Sequence, residues 1–333
     1  MTSRTVDTAR LRVNVVEHGP EDGIPVVLVH GNLSTGRFYE HLFEGAPDRY
    51  RLIAPDMRGF GATQPMAIEA THGLRDWADD LHSLLQALGI ERSPHLAGWS
   101  TGGAAIALYA IDHGAASLTF IDPVSPHGYG GRHFPDFAGT GGGTVDPDFP
   151  ARLAAGDRSA EAPTSPRSVM RAFYWRTDFL PANEDVLVDE VLKTHVGDDG
   201  YPGDTTTSEH WPGVAPGTRG ILNALSPKYC DWTGLLDVDP KPPVLWTHGT
   251  ADLVVADGSP FEIGFLGQQG LVPGWPGEAV FPAQAMISEI REFLGRYDGR
   301  VETEFFEGSG HAPFIDAAER WSERFFAFLA SVE

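Results

Sequence analysis

Gly98-Trp99-Ser100-Thr101-Gly102 decides how the rest of the chain is read. The five residues fit G-x-S-x-G, and their flanks matter more than the pattern. His95-Leu96-Ala97 before them is an apolar run that reads as a strand. Gly103-Ala104-Ala105-Ile106-Ala107-Leu108-Tyr109-Ala110 after them reads as a helix. A strand that ends in a sharp turn and then a helix lifts the Ser100 hydroxyl off the sheet edge and holds it in a strained backbone region. The flanking glycines let strand and helix approach closely. The helix start offers free N–H groups where an oxyanion would form.

Outward from this turn, short apolar strands alternate with helical patterns, as in βαβ units around a mostly parallel sheet. Residues 24–30 and 51–55 read as buried strands and 11–16 as an edge strand. Leu74, Trp77, Leu81, Leu84, Leu85 and Leu88 fall at helical spacing. Strands follow at 116–122, 243–248 and 301–306, with helices at 283–294 and 317–329. Between 124 and 236 the alternation fails, and the segment is rich in Gly, Pro and aromatics. The expected organisation is therefore a first core part (1–123), a cap or lid subdomain (124–236) and a second core part (237–333) carrying an irregular insertion at 257–282. Gly139-Thr140-Gly141-Gly142-Gly143 follows no strand and opens no helix, so it is no dinucleotide fingerprint; it reads as a mobile surface loop or lid hinge.

A serine hydroxyl needs a base within reach and a carboxylate to orient that base. His311 lies in the small-residue loop Gly308-Ser309-Gly310-His311-Ala312, between the last strand and the last helix. Asp252 closes His248-Gly249-Thr250-Ala251-Asp252, just after a strand. Asp122 also ends a strand and is the rival acid. His248 reads as a supporting residue and Asp56 as part of a structural turn. An oxyanion needs two donors, and the backbone N–H groups of Thr101 and Asn32 are the candidates. Trp99, Tyr129, Trp175 and Trp211 are the expected substrate-binding aromatics, with Phe173 and Tyr174 beside them. Arg132, Arg167, Arg171 and Arg176 read as solvated or paired.

The 333 residues carry 46 acidic and 24 basic side chains, a formal net charge of -22. Such a surface repels phosphate backbones and anionic lipid, which argues against nucleic-acid binding. The single cysteine, Cys230, excludes an intrachain disulfide and reads as a packed small residue. No run is long and apolar enough for a membrane span, and no secretion signal opens the chain, so a cytoplasmic protein is expected. No H-E-x-x-H, C-x-x-C or P-loop is present, and neither metal nor cofactor is expected. The partner is then a small-molecule substrate, and a homodimer is left open.

His30-Gly31-Asn32, Asp56-Met57-Arg58-Gly59-Phe60-Gly61, the turn at Ser100, Asp252 and His311 together resemble the α/β-hydrolase fold superfamily along nearly the whole chain. The order Ser, Asp, His is the order of that superfamily. The resemblance is greatest to its capped esterase and lactonase-like branch. It implies a mostly parallel eight-stranded sheet with helices on both faces and a mainly helical cap inserted after the sixth strand. Haloalkane dehalogenases and epoxide hydrolases of this superfamily carry Asp at the turn, where this chain has Ser100. The reading is a cofactor-independent serine hydrolase of a carboxylic ester or lactone with a largely apolar substrate. The alternatives are a C–C bond hydrolase or perhydrolase on the same triad, or a non-catalytic ligand-binding homologue.

Overall fold

The computed structural model describes residues 2–333. One eight-stranded sheet organises the chain, from strands β1 (Thr2–Asp7), β2 (Arg12–His18), β3 (Ile24–Val29), β4 (Tyr50–Pro55), β5 (His95–Trp99), β6 (Ser117–Ile121), β7 (Val244–Gly249) and β8 (Val301–Phe306). Their spatial order is β1-β2-β4-β3-β5-β6-β7-β8. β2 runs antiparallel to both β1 and β4, and all pairings from β4 to β8 are parallel. β4, β5 and β6 are buried throughout their length and β3 in all but its first residue, Ile24, as strands covered on both faces must be.

Helix α1 (Arg75–Ala87) buries Trp77, Leu81, Leu84 and Leu85 on one stripe, and Asp80 within it pairs with the buried Arg58 guanidinium at 2.7 Å. Helix α2 (Thr101–His113) starts immediately after β5, and its first ten residues are all buried. It can lie this close because of Gly102, where a Cβ would stand 2.3 Å from the Val29 carbonyl oxygen. Helices α7 (Met286–Arg296) and α8 (Ala318–Ser331) flank β8 in sequence and bury amphipathic stripes, Ile290, Phe293 and Leu294 in one and Trp321, Phe325, Phe328 and Leu329 in the other.

The long excursion between β6 and β7 holds helices α3 (Asp148–Ala154), α4 (Pro166–Phe173), α5 (Glu184–Val191) and α6 (Ile221–Leu225) and two small two-stranded ribbons. It is tied firmly to the rest of the chain. Ile68 makes two backbone hydrogen bonds across the seam, its N–H donating to Asp199 O and its carbonyl accepting from Gly220 N–H, both at 2.9 Å. Thr35 donates to the buried Glu190 carboxylate at 2.9 Å. The glycine cluster at 139–143, expected as a mobile surface loop or lid hinge, is mostly buried and so is no surface loop. Gly139 N–H donates to Val214 at 2.9 Å and Gly142 N–H to the Asn223 side chain at 3.0 Å, so its glycines serve close packing. Among the described residues no helix is long and apolar enough to cross a membrane.

Candidate active site

The residues the sequence singled out as reactive meet at the carboxyl ends of β3, β5, β6, β7 and β8. Ser100 sits between β5 and α2 with φ 55° and ψ -116°, a conformation L residues rarely adopt. Its own N–H donates to Ile121 at 2.9 Å, and its carbonyl accepts from Gly103 at 2.9 Å, so backbone pairing holds the strain in place. Its hydroxyl faces a cavity of about 430 Å³.

His311 lines the same cavity and is 3% exposed. Its Nδ1 lies 2.8 Å from Asp252 Oδ2. An ionised carboxylate only accepts, so Nδ1 carries the proton and Nε2 is left with a lone pair. Asp252 Oδ1 in turn accepts from Val254 N–H at 2.7 Å and Val255 N–H at 3.2 Å. Burial opposes the Asp252 charge, but the attraction of the His311 ring and its hydrogen bond, helped by the Val254 N–H, outweigh it and hold the carboxyl below its usual range. The loop bearing His311 is anchored twice. Trp99 Nε1 donates to the His311 carbonyl at 2.6 Å. Asp316, in the short turn Pro313–Asp316, accepts from Ser309 Oγ and from Gly310 N–H at 2.8 Å.

Thr101 follows Ser100 at the start of α2, and Asn32 lies in the loop after β3. Neither backbone N–H has a partner among the described residues, and both residues line the cavity. The loop carrying Asn32 lies directly against the turn: a Cβ on Gly31 would stand 3.1 Å from Ser100 Cβ and 3.2 Å from the Trp99 ring. His30 locks that loop. Its Nδ1 donates to Gly31 O at 2.7 Å and its Nε2 accepts from Met57 N–H at 2.8 Å, an arrangement only the neutral ring can make. Burial pushes its pKa down to about 4. Asp56 accepts from Gly36, Ala62 and Asn14 at 2.9–3.0 Å, which makes it the hub of a turn rather than a cavity residue.

The predicted aromatics divide. Trp99 and Tyr129 line the cavity, and the Tyr129 hydroxyl donates to Val254 O at 2.7 Å. Trp175 does not line it: it is 2% exposed and packs edge-on against Tyr174 and Phe179, under the His311 loop. Trp211 does not either, because its indole donates to Pro273 O and its ring packs against Phe281 at the outer insertion. Phe149, Phe173, Tyr174, Tyr201 and Phe261 form the walls instead. Phe149, Tyr201 and Phe261 escaped the sequence reading, since they sit in segments without a periodic pattern. Among the described residues no Lys or Arg lines the cavity, and Asp146 is the one carboxylate that does. The candidate arginines lie elsewhere, Arg167 and Arg171 paired with Glu184 and Arg176 with Asp178. The one cluster with metal-ligand spacing among the described residues is Asp122, Asp252 and His311, where His311 Nδ1 is already bonded to Asp252.

Comparison with known proteins agrees with this architecture. A cis-3-alkyl-4-alkyloxetan-2-one decarboxylase of Xanthomonas campestris pv. campestris is 38% identical over 111 residues, 32% of this chain and 37% of that protein. The match thus spans little more than a third of the relative's length. The esterase RhEst1 from Rhodococcus sp. superposes with a TM-score of 0.62 at 20% identity over 100% of both chains. The N-acyl homoserine lactonase AidH superposes with a TM-score of 0.57 at 17% identity, over 99% of this chain and 97% of that one. These two likenesses speak for the fold. The model of the alpha/beta hydrolase family matches residues 26–324, nearly the whole chain, and with the sheet order and the strained serine turn already described, the protein belongs to that family.

Proposed function

We propose that the protein is a serine hydrolase that cleaves a neutral, largely apolar carboxylic ester or lactone without a cofactor. The observation that carries this reading is the pairing of His311 Nδ1 with Asp252 at 2.8 Å beside a serine held at positive φ on the cavity wall. Ser100 Oγ attacks the carbonyl carbon while His311 Nε2 takes its proton. The negative charge on the carbonyl oxygen is met by the N–H groups of Thr101 and Asn32, each donor of this kind lowering the barrier by roughly 2.7–4 kcal/mol. His311 then protonates the leaving alcohol, or the ring oxygen of a lactone. Water, deprotonated by the same ring, releases the acid from Ser100.

The substrate class follows from the walls. Aromatic and aliphatic side chains favour an apolar acyl or alcohol group, and a volume of about 430 Å³ falls in the range of small-ligand sites. With no Lys or Arg on the walls among the described residues, a substrate bearing its own carboxylate would be desolvated without a counter-charge. This disfavours C–C bond hydrolysis of acidic ring-cleavage products and supports neutral esters. The similarity to an enzyme named for an oxetan-2-one, a four-membered lactone, supports including strained cyclic esters.

The test is hydrolysis of p-nitrophenyl acetate, butyrate and hexanoate and of simple lactones by wild type and Ser100→Ala. The expected result is turnover in wild type, lost by at least about 10³-fold in the variant with its fold intact. Turnover that survives the substitution would remove Ser100 from the chemistry.

A further inference from the structure

Two carboxyl groups, not one, stand behind His311. Asp122 follows β6 and is completely buried, with Oδ1 accepting from Gly249 N–H at 2.8 Å and Oδ2 without a donor N–H among the described residues. Asp252 follows β7, the strand that pairs with β6. One carboxyl oxygen of each, and one ring nitrogen of His311, lie within 4.8 Å of one another. No Lys or Arg forms a salt bridge with either carboxyl among the described residues.

The other groups facing Asp122 are few. From β7 comes His248, whose Nδ1 is 3.4 Å from Asp122 Oδ1 and whose Nε2 is 3.7 Å from Asp252 Oδ2. Burial drives the His248 pKa down to about 4, so it brings no charge at neutral pH. Arg291 acts on His248 only from a distance and in the same direction. From the His311 loop, Asp316 adds a further negative field at Asp122. Two buried carboxylates this close, with no fixed cation, do not ionise together. Burial, and then the Asp252 charge, push the Asp122 carboxyl well above the usual range.

We propose that Asp122 and Asp252 share a single negative charge behind His311, with Asp122 a positioning residue whose carboxyl can take over the orienting of His311 when Asp252 is neutral. This rests on the triad reading above. The exchange is a simple proton balance. When Asp252 carries the charge, Asp122 holds the proton. When Asp252 is made neutral, burial still favours the protonated Asp122, but the repulsion that adds to it disappears, so Asp122 releases its proton to solvent at a lower pH than before, and its carboxylate, with an oxygen within 4.8 Å of a His311 ring nitrogen, becomes the acid facing that ring.

Asp252→Asn, Asp122→Asn and the double variant, with Ser100→Ala alongside, test this on p-nitrophenyl butyrate from pH 5 to 9. The expected result is that Asp252→Asn keeps turnover at least tenfold above the double variant, and that this excess fades toward pH 5 as Asp122 is protonated. Equal turnover in the single and double variants would overturn the proposal. A purely structural Asp122 would give additive losses with no pH dependence of their ratio. Infrared spectra at pH 7 supply a readout that needs neither activity nor the folding of an Asp122 variant. Wild type minus Asp252→Asn should show the loss of one protonated carboxyl band, and an unchanged band would refute the shared proton. If Ser100→Ala keeps its turnover, the nucleophile assignment fails, and the infrared difference still decides the carboxyl pair.

Discussion

Asp316 offers the sharpest test of how the His311 loop is held. Its two carboxyl oxygens take three hydrogen bonds, from Ser309 Oγ, from Gly310 N–H at 2.8 Å and from Arg176 N–H at 2.8 Å. The first two donors belong to the loop that carries His311, and the third to the inserted segment, so one buried side chain clamps both. Asp316→Ala removes all three acceptors at once. The Gly310 N–H and the Ser309 hydroxyl are buried and lose their partner outright, at about 1–3 kcal/mol each, while the half-buried Arg176 N–H recovers part of its loss from water. The total is roughly 3–5 kcal/mol, a large share of a typical stability of about 5–15 kcal/mol. Asp316→Asn separates charge from geometry. Its amide oxygen can still accept from Gly310 and Arg176, and the Ser309 hydroxyl can turn to accept from its NH2 group, so a loss of only about 1–2 kcal/mol is expected. Urea denaturation measures the stabilities, and kcat and KM on an ester substrate measure the site. Both variants should lose kcat before KM rises, because a displaced His311 is felt mainly in the transition state, and a shift near 1 Å can cost on the order of 10²-fold. An Asp316→Ala variant within about 1 kcal/mol of wild type would refute this account of the loop.

Two further outcomes follow from burial and from the cavity. Cys230 is completely buried, and that burial pushes its pKa up to about 12; a thiol-reactive disulfide reagent at pH 8 should label no cysteine in the native protein and one in denaturant, and rapid native labelling would contradict the packing. Val169 on α4 lines the cavity; filling the space with Val169→Trp should erase most of the advantage of hexanoyl over acetyl esters, an advantage of about 3 kcal/mol at most for four buried methylenes, and an unchanged preference would place the acyl chain elsewhere.

The parts of the site that local chemistry determines were legible in the sequence. The turn at Ser100 needs a strand, small residues and a helix in immediate succession, and all three are written within residues 95–110. The walls were not legible, because they come from a segment whose side chains answer to neighbours far away in sequence. Trp175 and Trp211 looked like ligand contacts by residue type, yet one supports the His311 loop and the other packs on Phe281, whereas the walls use Phe149 and Tyr201. The glycines at 139–143 looked loose for the same reason: glycine permits both mobility and close packing, and only the tertiary partners, Val214 and Asn223, select between them.

Asp122 makes the point most sharply. In sequence it was a competitor of Asp252, one of two acids of which a triad needs one. Parallel pairing turns competition into proximity. Ile121 is in register with Thr247, and Asp122 N–H donates to the Thr247 carbonyl at 2.9 Å, so adjacent parallel strands deliver their carboxyl-terminal residues to the same place. Two acids after neighbouring strands must then meet, and in a buried pocket with no fixed cation they must divide one charge between them. The choice between two acids therefore becomes a question about where a proton sits, and the infrared difference and the Asp252→Asn pH profile answer that question directly.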